Sequence, residues 1–378
     1  RLTVAVSAPP AQGGGRLFEV AEELGDYSHA ISAFGGFDTA SFTYAAEMPV
    51  LDQSFEHGLG RVITVYDENL AVIWQGFVDQ VSIRMAGLEL TRGPLTQLVN
   101  RLQVVYSSID TTTEPPTVGV RKRTATVDDL ASQARWGIWS RVLSIAGATD
   151  DNADQVRDLH LHEYREPETS GRFSSMSSGD VSLTVQCKGF IHALNYPYNQ
   201  TAQGGLTTAS EKVRAILQAD PNGWINADLS GVEANGIEVS RWENDDNLAL
   251  GLLRGLAAMG DDSSNRRLFG VYEERRAVYG PTPATWEYEV RLADARRVIR
   301  NRAGGEVPPW AVRPGRWMMF IDFLPGHITQ DEQLQTDPRM LFIESVVYRL
   351  PMGLEISGGK ANRMAALLAR LGLGGTSV

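Results

Sequence analysis

Three strand-like runs lie close together near the start of the chain: GRVITVY at residues 60–66, GFVDQVSI at 76–83 and GLELTRG at 87–93. Three runs follow in the same order near its end: GRWMMFI at 315–321, LFIESVVY at 341–348 and GLEISGG at 353–359. Each set opens on Gly-Arg and closes on Gly-hydrophobic-Glu-hydrophobic. Short runs rich in β-branched and aromatic residues, separated by turn residues, are typical of strands. The pattern predicts a three-stranded β meander that occurs twice.

A helix-like run follows each meander. Its apolar residues are Leu95, Leu98, Val99 and Leu102 in the first copy, and Met364, Leu367, Leu368 and Leu371 in the second. Residues at this spacing share one face of a helix, so a helix is predicted behind each meander. A duplicated unit of this kind indicates a scaffold with internal pseudo-symmetry. The alternative is a chance likeness between two ordinary meanders.

The composition is that of a folded, acidic protein. The chain has 378 residues, 43% of them hydrophobic and 21% charged, which is enough for two or three domains. Its 37 glycines and 17 prolines fit a β-rich fold with many turns. The formal net charge of −11 argues against a nucleic-acid surface, because such surfaces neutralise phosphates. Four clustered arginines are predicted to form a solvated or interface face: Arg296, Arg297, Arg300 and Arg302.

Cys187 is the only cysteine, so no intrachain disulfide is possible and stability is left to burial and subunit contacts. It follows an alternating strand-like run and is predicted to point into the core with Val181, Leu183 and Val185. No apolar run approaches the ~20 residues of a membrane span. The N-terminal residues do not resemble a signal peptide, so we expect synthesis in a cytoplasm without a secretory signal.

Several other segments have clear local patterns. Strands are predicted at residues 28–34, 37–44, 181–188, 267–280 and 286–292. Helices are predicted at 48–57, 151–162, 209–217 and 247–259, and the spacing of Ala134, Ile138, Val142 and Ile145 predicts one more. The segment 107–119, which contains Pro115-Pro116, is predicted to be a linker.

Three acidic or imidazole pairs are candidates for metal or acid–base chemistry. His160 and His162 are a possible metal pair, but no second ligand cluster is evident, and a helix C-terminus favours His electrostatically. Asp245-Asp246 and Asp261-Asp262 flank one predicted helix. The first pair suits an N-cap and the second begins a polar turn, so a structural role is predicted for both pairs.

The remaining candidates also have simple structural explanations. Gly13-Gly14-Gly15-Arg16 lacks the Gly-Lys-Ser/Thr ending of a phosphate loop and is predicted to be a linker. Cys187 has only His192 nearby in sequence, which does not make a nucleophile–base pair. Eight tryptophans invite a carbohydrate-binding interpretation, but core or interface burial is favoured: Trp74, Trp136, Trp139, Trp224, Trp242, Trp286, Trp310 and Trp317.

Three sets of runs resemble phage tail baseplate hub proteins, also called tail-tip or minor tail hub proteins. The first is VYDEN at 65–69 with IWQGFV at 73–78, and the second is RWGI at 135–138 with VLSIAG at 142–147. The third is LAL at 248–250, LAAMGD at 256–261 and FGVYE at 269–273. The similarity is spread over most of residues 28–350, and the order of all the runs carries it.

The resemblance implies two tail-tube-like β-barrels with helical accessory domains, a mainly β fold with α insertions (α+β). The first barrel is placed at residues 1–108 and is completed by about 181–200, with a helical insertion at 109–180. An α+β accessory domain is placed at 201–266 and the second barrel at 267–360. A C-terminal helix and flexible tail are placed at 361–378.

The resemblance further implies a virion structural protein, a hub at the phage tail tip or baseplate, synthesised in the host cytoplasm. Tail tubes are sixfold rings and tip spikes are often threefold, so a homotrimer would offer six barrels to the tube. The implied partners are copies of this chain, the tail tube or distal tail protein ring, the tape measure protein and tip spike or fibre proteins. DNA is expected only in transient passage through an acidic channel, as in DNA ejection, and no stable membrane insertion is expected.

No catalytic residue, cofactor or metal ligand is assigned from the sequence, and we expect no enzymatic activity. Two alternatives stay open. One is a tail-associated cell-wall hydrolase, although no convergent acid–base constellation is evident. The other is a carbohydrate- or receptor-binding tail protein, which would present exposed aromatic side chains.

Overall fold

The computed structural model describes residues 2–9, 15–20, 24–45, 48–110, 112, 114–115, 117–173, 181–198, 207–239, 247–261, 266–291, 298–321, 340–350 and 353–359. Within these residues the chain is mainly β, with three sheets and five α-helices. The predicted fold class, mainly β with α insertions, is confirmed at this level.

The first part of the chain is β-rich. Its elements are β1 (Thr3–Ser7), β2 (Arg16–Val20), β3 (Gly25–Ser32), β4 (Gly36–Tyr44), α1 (Met48–His57), β5 (Val62–Tyr66), β6 (Val72–Met85) and β7 (Leu88–Arg92). The two strands predicted around Gly35-Gly36 are confirmed as β3 and β4, and the predicted helix at 48–57 is confirmed as α1.

A small mixed module follows. Its elements are β8 (Arg101–Asp110), β9 (Thr117–Arg123), β10 (Val127–Asp128), α2 (Leu130–Trp136), β11 (Ser140–Ala148), α3 (Asp150–Tyr164) and β12 (Thr169–Phe173). Strands β8 to β11 form a separate four-stranded sheet, and α3 packs on it through Val104, Tyr106, Ala148 and Ala153. The segment predicted as a helical insertion at 109–180 therefore contains strands as well as helices.

The rest of the chain returns to β structure after two helices. Its elements are β13 (Ser182–Gly189), β14 (Thr207–Thr208), α4 (Ala209–Gln218), β15 (Glu238–Val239), α5 (Ala249–Met259), β16 (Leu268–Val271), β17 (Ala277–Gly280), β18 (Trp286–Arg291), β19 (Ile299–Asn301), β20 (Trp317–Ile321), β21 (Met340–Arg349) and β22 (Gly353–Gly359). The strands predicted at 181–188 and 286–292 and the helices at 209–217 and 247–259 are confirmed.

One large sheet contains most of the described strands. Its main path runs β19-β18-β20-β21-β3-β4-β13-β6-β5-β1-β2, and β7, β12, β16, β17 and β22 attach beside it. Strand β13 lies between β4 and β6, so the chain returns to the first β strands after the small module. Among the described residues the path is open at both ends, and no closed barrel forms.

Both predicted meanders are present, but their layouts differ. In the first, β13 pairs β6 over residues 76–84, so β5 and β7 share the opposite edge of β6. In the second, Phe342 pairs with Trp317 of β20 and with Gly359 of β22, so these strands lie on opposite edges of β21. On β21 the edge that begins with β20 continues with β3 at residues 345–349, so β22 takes the other edge.

The prediction of a helix from Leu95 to Leu102 is wrong. A 3₁₀ turn spans Leu95–Gln97, and β8 begins at Arg101. The amide of Val99 donates to the carbonyl of Tyr164, and the amide of Asn100 donates to the carbonyl of Trp139. In a helix these amides would instead donate to carbonyls four residues earlier. All four apolar residues are nevertheless buried. The second predicted helix, with Met364, Leu367, Leu368 and Leu371, lies outside the described residues.

Three further local predictions are corrected. Ile138, Val142 and Ile145 belong to an extended segment and to β11, which pairs in parallel with β8, and not to a helix. The predicted linker at 107–119 is largely the hairpin of β8 and β9. The single strand predicted at 267–280 is two strands, β16 and β17, joined by a 3₁₀ turn at Glu273–Arg275.

The hairpin of β16 and β17 reaches the main sheet at a glycine. Val271 lies beside Gly36 of β4, which has φ +77°. A Cβ at Gly36 would collide with the backbone of Val271, so both the conformation and the close approach require glycine. The Gly35-Gly36 turn thus also serves as a docking point.

Candidate functional site

The two β units are joined along one strand pair, which we call the seam. The first β unit consists of β1, β3–β6 and β13, and the second of β18–β22. Residues 28–32 of β3 pair antiparallel with residues 345–349 of β21. Backbone hydrogen bonds continue past both ends, from Leu350 N to Tyr27 O at 2.8 Å and from Ala33 N to Glu344 O at 2.8 Å. The units therefore share one continuous sheet.

A buried cluster of polar rings lines the seam. The Tyr27 hydroxyl is hydrogen-bonded to His29 Nδ1 at 3.0 Å, and the His29 ring lies 5.5 Å from that of Tyr348. Trp310 meets Tyr348 edge-on at 6.1 Å. Alternation along β3 places Tyr27, His29 and Ile31 on the same face, and all three are buried. The seam therefore buries an imidazole between two phenols.

Burial controls the protonation of this cluster. It lowers the pKa of His29 to about 3, with a smaller contribution from the Arg313 cation. It also raises the pKa of Tyr27 well above its usual value. Among the described atoms, His29 Nε2 has no hydrogen-bond partner. His29 is therefore neutral at physiological pH, and a charge there would be costly.

Arg313 makes a second connection between the two units. Its guanidinium donates to the carbonyls of Val72 at 2.8 Å and Ile73 at 3.1 Å, at the start of β6. It also donates to Glu273 Oε1 at 3.0 Å and lies 5.4 Å from the centre of the Phe37 ring. The planar fork of arginine suits several acceptors at once. Arg313 thus anchors the segment before β20 to the first β unit.

Five strands of the first β unit share a common interior. A cavity of about 20 Å³ is lined from β1, β4, β5, β6 and β13 and from α1, with Val6, Phe42, Ile63, Val78 and Leu183 among its lining residues. This space is no larger than one water molecule. Side chains from five strands and a covering helix therefore meet in one filled core.

A larger cleft of about 380 Å³ lies between α1, α2 and the segment around Trp224. Arg135 and Arg92 lie 4.6 Å and 5.5 Å from the Trp136 ring centre, and the Trp136 indole donates to Glu166 at 2.9 Å. Arginine stacked on an aromatic ring is a stabilising cation–π arrangement. The face of Trp136 is therefore occupied by the chain's own cations.

The histidine candidates are separated by the helix that carries them. His160 and His162 are two apart on α3 and so do not share a face. The centre of the His160 ring lies 4.4 Å from that of the Tyr164 ring, with the planes tilted by 36°, and burial lowers the pKa of His160. In the part of the chain that the structure describes, no group of three or more His, Cys, Asp or Glu side chains is placed to hold a metal ion.

Cys187 and His192 do not meet. Cys187 is fully buried on β13 beside Leu183 and Val185, as predicted, and burial raises the pKa of its thiol well above the usual value. His192 lies 2.6 Å from Asp38 through its Nε2 atom. The His192 hydrogen bond lowers the pKa of Asp38. The thiol is protonated and enclosed, which does not suit a nucleophile.

The acidic pairs and the glycine run are only partly described. Asp245, Asp246, Asp262, Gly13 and Gly14 lie outside the described residues. Asp261 follows Gly260, which ends α5 with φ +75°. The Gly15 carbonyl accepts a hydrogen bond from Ala8 at 2.9 Å, between β1 and β2.

The tryptophans are mostly interior. Five are buried: Trp74, Trp136, Trp139, Trp224 and Trp317. Trp286 and Trp310 are half-buried, and Trp242 lies outside the described residues. Trp139 follows α2, and its indole donates to the Trp136 carbonyl at 2.9 Å. The core burial predicted from the sequence thus agrees with the positions of the five buried tryptophans.

Sequence reasoning did not identify the residues that hold the seam. The alternation of Tyr27, His29 and Ile31 was the available signal for His29, because it places the imidazole on a buried face. Arg313 lies in a proline-rich segment and has no local signal. Its acceptors are about 240 positions earlier in the chain.

No helix in the described ranges is both long enough and apolar enough to span a membrane.

Comparisons with known proteins give the following findings. No protein-family model matches the sequence, and no curated protein matches it. Among solved structures, the chain is similar to the tail protein from Neisseria meningitidis MC58, with a TM-score of 0.45 and 9% sequence identity over 97% of this chain and 98% of that one. It is also similar to the prophage MuSo2 43 kDa tail protein from Shewanella oneidensis, with a TM-score of 0.44 and 10% identity over 96% of this chain and 98% of that one.

Proposed function

We propose that this chain is a structural hub of a phage tail tip or baseplate, with a mechanical and not an enzymatic role. The observation that carries the proposal is the seam. The antiparallel pair of β3 and β21 joins the two β units into one sheet, and Arg313 links the second unit to β6 of the first. A continuous hydrogen-bonded sheet transmits load between its ends. An adaptor between a tube and a tip needs this property.

In this proposal each β unit is a tube-like barrel segment. The interior shared by five strands of the first unit and by α1 supports this proposal. The open ends of the sheet path, β2 and β19, are edges of the kind that neighbouring subunits cover. A homotrimer with cyclic symmetry would then present six β units to the sixfold tube and three chains to the tip.

The proposed partners are those expected of a hub in the virion. They are other copies of the chain, the tail tube or distal tail protein ring, the tape measure protein and tip spike or fibre proteins. DNA passes through the channel without stable binding. The net charge of −11 suits a channel wall that does not retain DNA.

Negative-stain imaging of the purified chain, with a solution mass measured beside it, tests the proposal. We expect rings with a threefold or pseudo-sixfold outline and three times the 41.4 kDa chain mass. A chain that stays monomeric without rings, even after a tube partner is added, contradicts the homotrimeric hub.

The cleft of about 380 Å³ is the feature that favours a carbohydrate- or receptor-binding tail protein instead. Sugar rings bind to open aromatic faces, whereas Trp136 is covered by Arg135 and Arg92. Glycan-array binding that is lost in Trp136→Ala, with the fold intact, would move this alternative ahead of the hub. The cell-wall hydrolase is tested by a zymogram, and cleared bands would favour it.

A further inference from the structure

The turn that joins β16 to β17 has an unusual backbone. Glu274 has φ +56° and Arg275 has φ +62°, and the Glu273 carbonyl accepts from the Arg276 amide at 3.1 Å. Hairpin turns of this shape favour Asn-Gly and Gly-Gly, because positive φ brings a Cβ too close to the backbone. The chain has Glu and Arg at these two positions. The local sequence therefore does not favour the turn that it forms.

Hydrogen bonds from a neighbouring loop hold the turn in this conformation. The Arg275 guanidinium donates to the carbonyls of Gly223 at 3.1 Å and Trp224 at 3.4 Å. Asn226 donates through its amide to the Arg275 carbonyl at 3.0 Å and through its side chain to the Glu274 carbonyl at 3.2 Å. Strained backbone persists where the surroundings impose it. These contacts supply that constraint for both left-handed residues.

The loop that makes these contacts, residues 220–226, is itself well anchored. Trp224 is buried in the main core. The Asp220 carboxylate accepts from the amides of Asn222 at 3.1 Å and Ile225 at 2.8 Å, so it fixes the shape of the loop from within. The residues of the 3₁₀ turn, in contrast, are all at least partly exposed. The turn is therefore the part of this contact that is free to move.

The same turn reaches the second β unit through Glu273. Its carboxylate accepts from the Arg313 guanidinium at 3.0 Å. Arg313 also binds the carbonyls of Val72 and Ile73, so Glu273 completes the anchor between the two β units. Glu273 directly precedes the two left-handed residues. Its position beside Arg313 therefore depends on the strained conformation of the turn.

We propose that the β16–β17 turn is a strained latch that couples loop 220–226 to the Arg313 anchor. While the loop holds the turn, Glu273 lies within reach of Arg313. When the loop contacts break, Glu274 and Arg275 relax to ordinary backbone angles, and the carboxylate of Glu273 leaves Arg313. Elements that move within a fold are drawn from its least stable parts. The latch lies within one chain, so its test is independent of the hub proposal.

A matched pair of variants tests the strain. Glu274→Gly and Glu274→Ala both remove the exposed carboxylate that pairs with Arg276 at 2.6 Å, but only glycine adopts positive φ without strain. We expect the amides of Asn226 and Arg276 to exchange about three- to tenfold more slowly in Glu274→Gly than in Glu274→Ala, because relaxation then no longer favours the open turn. Native-state hydrogen exchange measures the rates. Equal or faster exchange in Glu274→Gly would overturn the strained latch.

A second variant tests whether the loop holds the turn. Asn226→Asp removes the side-chain donor to the Glu274 carbonyl and keeps the acceptor that the Asp228 amide uses. We expect the Arg276 amide to exchange about two- to tenfold faster in this variant, because one hydrogen bond of the closed turn is lost. Thermal unfolding confirms that each variant is folded. An Arg276 amide that exchanges as in the wild type would overturn the latch.

The Arg313 amide reports whether the latch acts on the anchor. It donates to the Tyr288 hydroxyl at 3.1 Å. We expect its exchange to rise in Asn226→Asp by a factor similar to that at Arg276, because the anchor loses Glu273 whenever the turn opens. Coupling is reciprocal, so Glu273→Gln should also speed exchange at the Asn226 amide. Acceleration that stays on the mutated side in either variant would overturn the coupling.

Discussion

Arg313 shows how one side chain holds distant parts of the chain. Its guanidinium binds two β6 carbonyls and the Glu273 carboxylate, and its own amide donates to the Tyr288 hydroxyl at 3.1 Å. Hydrogen bonds from a charged donor are stronger than neutral ones. The carbonyls of Val72 and Ile73 would lose these donors in any apolar replacement.

We therefore expect Arg313→Met to lower the free energy of unfolding by about 2–4 kcal/mol. Arg313→Lys should recover only part of this loss, because an ammonium lacks the planar fork. Urea unfolding measures the difference. The control is Arg349→Met, which breaks an exposed pair with Glu355 and should cost less than about 0.5 kcal/mol. Equal costs for the two variants would contradict a special role of Arg313.

His29 gives the seam a defined pH dependence. Its pKa is about 3 in the folded chain and 6.5 in the unfolded reference, so folding favours the neutral ring. Its stabilising contribution is complete above pH 6.5 and is lost as the pH falls toward 3. By pH 5 the loss should reach about 2 kcal/mol.

We expect His29→Gln to reduce the fall in unfolding free energy between pH 7 and pH 5 by this amount. Glutamine does not titrate and keeps an acceptor for the Tyr27 hydroxyl. The measurement is urea unfolding at several pH values in that window. If the wild type and the variant lose stability in parallel, titration of His29 does not act on the seam.

At the scale of elements, the side chain of Asn222 holds the backbone of Ile138, two residues before β11 begins. Its Oδ1 atom accepts from the Ile138 amide at 2.6 Å, and its Nδ2 atom donates to the Ile138 carbonyl at 2.8 Å. The side chain thus imitates a neighbouring strand. The amide of Ile138 is thereby occupied by a group 84 positions away, and the helical spacing of the local sequence is overridden.

Asn222→Ala should destabilise the chain by about 1–3 kcal/mol, because both backbone groups of Ile138 lose their partner. Hydrogen exchange at residues 138–140 should increase more than elsewhere. Asn152→Ala, at an exposed position on α3, is the control and should have little effect. Unchanged exchange at residue 138 in the Asn222 variant would show that other contacts hold this segment.

Local patterns predicted most of the elements. Helix α4 is the clearest case, since Thr208 and Glu211 form a capping box and the apolar residues Val213, Ile216 and Leu217 are buried on one side. Strand β13 follows from simple alternation. The two wrong helix predictions, at residues 95–102 and 138–145, have one cause. In each segment the backbone groups bond to residues far along the sequence, and spacing alone does not reveal such partners.

At the scale of the whole molecule, the shared strand β3 links the stability of the two β units. It pairs with β4 on one edge and with β21 on the other. We expect the amides of β6 and β21 to exchange with the same free energy, that of global unfolding. Native-state hydrogen exchange checks this expectation. Earlier opening of β21 than of β6 would mean that the seam separates before the units unfold.

The sequence by itself determined the mainly β character, the meander strands, the capped helix α4 and the buried position of Cys187. These features depend on turn residues, alternation and capping within about ten neighbouring residues. Tertiary structure alone decided the joining of β3 to β21, the Arg313 anchor and the strand conformation of β11. Each of these depends on which distant backbone groups become neighbours, and that choice is made by the packing of the whole chain.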